Sequence, residues 1–148
     1  MVLAGLFFLS VTSQLFSQED VVKERKKLMR ANDKTGKALK KAVAAMDFAA
    51  IEKNAKALAS QMEKLPGLFP KGSTAENSRA TVAIWKKLDS FTGKAASLGE
   101  VAGMVAEAAA AKDADKVATL AKVIAGGQTA SYCRSCHNSF RGKKKKKK

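Results

Sequence analysis

The chain has 148 residues, 46% hydrophobic and 28% charged, with a formal net charge of +15. That length suits one domain, and abundant alanine and lysine with few β-branched runs favour helices throughout. Two cysteines and one histidine argue against a structural zinc site, which needs about four protein ligands.

Residues 1–17 open with Met1-Val2-Leu3-Ala4-Gly5-Leu6-Phe7-Phe8-Leu9-Ser10, the apolar core of a secretory signal peptide. The run is too short for a convincing membrane span. Cleavage is expected after Ser17, with Ser13 as the alternative site. No Lys or Arg precedes the apolar stretch, so an uncleaved anchor is the competing reading. The next helix is expected from Gln18 to about Met46. Val21, Val22, Arg25, Leu28, Met29, Asn32, Gly36, Leu39 and Val43 fall on one stripe at helical spacing. Arg25 is a charge on that stripe and Met29 follows one turn later. A snorkelling stem and ordinary core filling are the simplest explanations of the two.

Asp47 is suited to cap a second helix over about Phe48 to Lys64, with Phe48, Ile51, Ala55, Leu58 and Met62 inward. Leu65-Pro66-Gly67-Leu68-Phe69-Pro70 ends it, and Lys71 to Asn77 reads as a polar loop. A third helical stretch is expected from about Ser78 to Ala111, interrupted near Gly93 or Gly99, carrying Ile84, Trp85, Leu88, Phe91, Leu98, Val101, Met104 and Val105. Asp113 or Asp115 starts the last helix, which runs through Val117, Leu120 and Ile124 to Phe140. Four amphipathic helices with short links predict an all-α, antiparallel four-helix bundle over residues 18–142.

The last helix carries Cys133-Arg134-Ser135-Cys136-His137, a C-x-x-C-H run. This is the attachment signature of a c-type haem, with thioethers to the two cysteines and an axial imidazole on the iron. Positions three and four apart share a helix face, so Cys133, Cys136 and His137 project to one side. A thioredoxin-like pair would need a βαβ context, and a simple disulfide leaves His137 unexplained. Gly126 and Ala130, one and two turns earlier, leave room for a flat macrocycle or serve close helix packing. Export agrees with haem attachment, which takes place outside the bacterial cytoplasm. Residues 143–148 are lysines, expected to be a solvated basic tail; such a tail could also steer the protein to acidic partners or anionic lipid. Nucleic acid is not an expected partner, because the aromatics sit mostly at core positions and no reading motif is present.

The chain from Gln18 to Arg141 resembles the cytochrome c′ family, including its low-spin, methionine-ligated relatives. The resemblance rests on Arg25-Lys26-Lys27-Leu28-Met29, on Lys64-Leu65-Pro66-Gly67-Leu68-Phe69-Pro70, on Ile84-Trp85 with Phe91, and on C-x-x-C-H followed by Asn138-Ser139-Phe140-Arg141. It implies one covalent haem c on Cys133 and Cys136, with His137 as proximal ligand and Arg141 beside that imidazole. It further implies Arg25 near a haem propionate, Trp85 near the haem edge, and Met29 at the distal position, either ligating the iron or not.

Three functions follow as expectations. With His137 and Met29 on the iron, the protein is a periplasmic electron carrier using redox partners with acidic surfaces, since methionine raises the potential. With a vacant sixth position it binds NO or CO. A peroxidase is disfavoured: it needs a distal acid–base group, and the single histidine is already used. The resemblance also implies a possible homodimer through the first two helices.

Overall fold

The computed structural model describes residues 17–75, 77–124 and 129–143. They form α1 (Gln18–Ala44), α2 (Phe48–Lys64), a 3₁₀ turn (Pro66–Leu68), α3 (Ala83–Lys86), α4 (Leu88–Ala110), α5 (Ala114–Ile124) and α6 (Thr129–Phe140). The leader residues 1–16, the Ser13 cleavage alternative, Gly126 and tail residues 144–148 lie outside the described residues, as does the Ala130 side chain. No described helix is long and apolar enough to cross a membrane.

Capping explains where the helices begin. Ser17 is the N-cap of α1: its hydroxyl accepts from the Asp20 N–H at 3.2 Å and donates to Asp20 Oδ2 at 2.7 Å. A chain beginning at Gln18 would lack this cap. Asp47 accepts from Ala50 N at 3.0 Å to start α2, and Asp113 accepts from Lys116 N at 2.9 Å to start α5. Both turns before these aspartates are built alike. Met46 (φ 51°) and Lys112 (φ 53°) take left-handed backbone. Around them, Met46 N and Asp47 N bond Val43 O and Ala42 O, while Lys112 N and Asp113 N bond Ala109 O and Ala108 O. This double bond pattern satisfies the last carbonyls of a helix and reverses the chain. It also ends α1 at Ala44, two residues short of the expected Met46.

The third helix departs further from expectation. Residues 78–82 are not helical, and the break falls at Lys87 (φ −132°, ψ 50°) between α3 and α4, not at Gly93 or Gly99. Both glycines lie inside α4. A Cβ on Gly99 would sit 3.4 Å from Met62 Cβ, so the small residue serves close packing against α2.

α1 packs on α2, α2 on α4, α4 on α5, and α5 closes the ring against α1, leaving α1 and α4 on opposite corners of the bundle. The α2–α4 contact is the most extensive, and Ala55, Ala95 and Ala102 are buried on these two helices, where small residues let the axes approach. Leu39, Ile51, Val105 and Val117 are fully enclosed in the shared core. α6 rests against α4, α5 and α3.

Candidate haem site

α6 presents Cys133, exposed, and Cys136 and His137, both half-buried. Both cysteines are free thiols, and Cys136 packs against the hydrophobic core. Burial pushes both thiols above the usual cysteine range, with the Lys94 ammonium acting in the opposite direction on Cys136. His137 is held below the ordinary histidine value, first by burial and then by the charges of Arg141 and Arg79. A neutral imidazole is the form that ligates iron. Two free thiols and one neutral imidazole three and four residues apart make a donor set that fits a haem with two vinyl groups. Among the described residues no group of three or more His, Cys, Asp or Glu is placed to hold a bare metal ion.

The end of α6 is strapped down by a segment that sequence periodicity does not reveal. Ala80 and Arg141 form an antiparallel bridge. Thr81 donates to Phe140 O through its backbone N–H (3.0 Å) and its hydroxyl (3.1 Å). Gly142 N bonds Arg79 O at 2.7 Å, and Arg79 Nε returns a bond to Gly142 O at 2.9 Å. The strap places Arg79 and Arg141 together at the end that bears His137. Arg79 is therefore a second cation on the imidazole that the sequence reading missed. Lys94 is a further cation at this end, acting on Cys136 and not on the imidazole: its ammonium reaches Ser135 Oγ at 2.6 Å from α4.

Lys94, Ser90, Gly93 and Ser97 of α4 face Tyr132 and Ser135 of α6 across an open cleft of about 520 Å³. At 100° per residue, Tyr132 lies about 40° from Cys136 on the α6 circumference. The cleft therefore borders the face that carries the thiols, and its Lys94 acts on Cys136.

On α1, Arg25 is 5% exposed. Its Nε donates to Leu68 O at 2.8 Å, Nη1 to Ser73 O and Ser78 Oγ, and Nη2 to Ser73 O and Ser73 Oγ. These five bonds match the five N–H groups of a guanidinium. Burial lowers the pKa of Arg25, yet a guanidinium stays charged. The loop carbonyls are thus a sufficient account of the buried charge, and a propionate would have to compete for the same N–H groups. Met29, one turn on, is half-buried against the core. Asn32, on the next turn, has a buried Oδ1 with no hydrogen-bond partner among the described residues. An unsatisfied polar atom beside Met29 fits a site that receives a further group. Trp85 packs on the core and donates Nε1 to Phe69 O (3.1 Å) and Pro70 O (3.0 Å), fastening the same loop that Arg25 holds.

Known proteins resemble the chain along most of its length. The family model described as Cytochrome C′ matches residues 20–141. Cytochrome c′ of Rhodopseudomonas palustris is 33% identical over 146 residues, 96% of this chain and 94% of that protein. Cytochrome c-556 of Agrobacterium fabrum is 34% identical over 107 residues, covering 72% and 68% of the two chains. A nitric oxide complex of a variant cytochrome c prime from Alcaligenes xylosoxidans superposes with a TM-score of 0.72 at 25% identity, covering 88% of this chain and all of that one. The four-helix bundle and its C-terminal thiol–imidazole array therefore identify a c-type haem protein, and the chain belongs to the cytochrome c′ family, whose members carry one covalently attached haem c.

Proposed function

We propose that the protein is an exported, periplasmic electron carrier. In this reading Cys133 and Cys136 would hold the haem through thioethers, and the His137 imidazole would ligate its iron. The bound iron supplies a one-electron couple. Burial, then the charges of Arg141 and Arg79, disfavour protonation of the imidazole, and the strap at residues 79–81 fixes the end of the helix that presents it. Arg25 and Trp85 hold the loop at 68–73, so the first turns of α1 keep one position. Met29 would be the iron's second protein ligand, a soft thioether matched to ferrous iron. The observation that carries the reading is the half-buried Met29 one turn beyond a clamped Arg25, with Asn32 Oδ1 unpartnered beside it. The protein is not an enzyme in this account, because its single histidine serves the iron and no distal acid–base histidine remains. Its partners are redox proteins with acidic surfaces, matched to a net charge of +15.

A second reading is supported by the nitric oxide complex of the Alcaligenes xylosoxidans relative. In that second reading Met29 would be core filling, one iron position would stay open, and the protein would bind NO or CO. Absorption spectra of the oxidised and reduced protein separate the two. Low-spin spectra in both states support the carrier; a high-spin ferrous spectrum supports the gas binder. Haem that extracts into acid–acetone from the intact protein would overturn the thioether assignment in either case.

A further inference from the structure

The charge of this protein is not spread evenly over the bundle. α1 carries nine cationic side chains against four acidic ones, a net of +5, whereas α4 on the opposite corner carries Lys94 against Asp89, Glu100 and Glu107, a net of −2. The cations of α1 are also ordered. Lys23, Lys26, Arg30, Lys34, Lys37 and Lys41 recur at spacings of three and four residues, which confines them to about 80° of the helix circumference. All six are exposed. Lys23 and Lys37 have exposed acidic neighbours in Asp20 and Asp33, while Lys26, Arg30, Lys34 and Lys41 form no ion pair among the described residues. The helix has 27 residues, so the row is about 40 Å long at about 1.5 Å per residue.

We propose that this row is a docking edge for a bilayer surface bearing anionic phospholipid headgroups. The chemistry of the row selects a bilayer over a protein partner. Lysine is depleted at protein–protein interfaces, whose cores rely on aromatic residues and arginine. This row has five lysines to one arginine and no aromatic or aliphatic side chain on its outer face. The outer face of a single helix is convex and does not enclose a peptide. A plane of negative headgroups meets all six cations at once and needs no shaped contact; each cation near such a surface adds to the attraction until salt screens it. α4, on the opposite corner, carries no such row along its length, so the molecule docks in one orientation, α1 down.

The test uses haem-bearing protein as isolated and sedimentation with vesicles of phosphatidylcholine containing phosphatidylglycerol, with pure phosphatidylcholine as the blank. Wild type binds the anionic vesicles at low salt and is released by high salt. The triple variant Lys26→Gln, Arg30→Gln, Lys34→Gln loses about a hundredfold in affinity, with an unchanged haem spectrum reporting an intact fold. A control triple removing the same charge from exposed positions by the opposite corner, Lys86→Gln, Lys87→Gln, Lys112→Gln, keeps nearly all of it. Absence of wild-type binding, binding that survives high salt, or equal loss in both triples overturns the proposal. So does loss caused only by deleting residues 143–148. Retention on immobilised polyglutamate that depends on the α1 cations, with vesicles ignored, would assign the edge to an acidic protein instead.

Discussion

The guanidinium carbon of Arg25 lies 4.1 Å from the centre of the Phe69 ring. That ring in turn meets Phe91 edge-on at 4.8 Å, and Phe91 meets Phe140 at 5.4 Å and 87°. A continuous stack therefore runs from the helix carrying Met29, through the loop after α2 and through α4, to the last residue of the helix carrying His137. One file of side chains thus joins the Arg25–Met29 turn of α1 to the end of α6 that bears His137. Edge-to-face pairs of this kind contribute about 0.5–1.5 kcal/mol each beyond the area they bury.

Cutting the file at its middle should loosen both ends. Phe91→Ala is expected to cost about 3–5 kcal/mol in urea unfolding. Amide exchange in residues 132–140 should accelerate more than exchange in α2. Equal acceleration in both helices would show that Phe91 is general core with no special link to α6.

Arg25 is a buried cation whose five N–H groups are all engaged, and no carboxylate among the described residues bonds it. Arg25→Met strands the Leu68 and Ser73 carbonyls and should destabilise by about 2–5 kcal/mol. Arg25→Lys should recover less than half, because an ammonium cannot reproduce the planar fork. Full recovery by lysine would mean that charge alone matters at this position.

The two helix reversals offer an independent check of the fold. Asp113→Ala should lose about 1 kcal/mol through the missing cap. Lys112→Gly, one residue earlier, should gain stability by up to about 1 kcal/mol, since φ 53° is strained for a residue with a Cβ. A loss in the glycine variant would contradict the left-handed turn.

These reversals also mark what could be read in the sequence and what could not. Asp47 and the apolar spacing from Phe48 to Met62 make α2 legible to both of its ends, because an N-cap and a Pro-Gly stop are local signals. The C-x-x-C-H run is legible for the same reason. The region from Ser78 to Lys87 is not. Its shape is set by Thr81 and Arg79 bonding the end of α6, some sixty residues away, and periodicity carries no trace of a long-range backbone pair. Gly93 and Gly99 look like breaks in a one-dimensional pattern, yet the helix tolerates them, Gly99 for the sake of its contact with Met62. The partners of Arg25 are hidden likewise: the odd residue is visible, its loop carbonyls are not.

The cations beside His137 give a pH dependence of definite sign. Burial, then Arg141 and Arg79, disfavour the imidazolium, so the folded-state pKa lies below the ordinary value. A depressed pKa stabilises the fold above the unfolded value of about 6.5, and that contribution is lost as pH falls through the lower folded value. Arg141→Gln removes one opposing charge and makes protonation easier. The acid transition of the haem-bearing protein, followed by its absorption spectrum, should therefore begin at a higher pH in the variant. A shift to lower pH would show that Arg141 acts on the site by some route other than its charge.

The choice between carrier and gas binder turns on Met29. The most direct measurement is carbon monoxide binding to the reduced protein, wild type against Met29→Leu, with spin state read from the same spectra. If Met29 ligates the iron, reduced wild type is low-spin and takes up CO slowly, because the thioether must leave first. The variant is then high-spin, binds CO readily, and has a lower reduction potential. Wild type that is already high-spin and binds CO as fast as Met29→Leu would contradict the account and make this protein a gas binder.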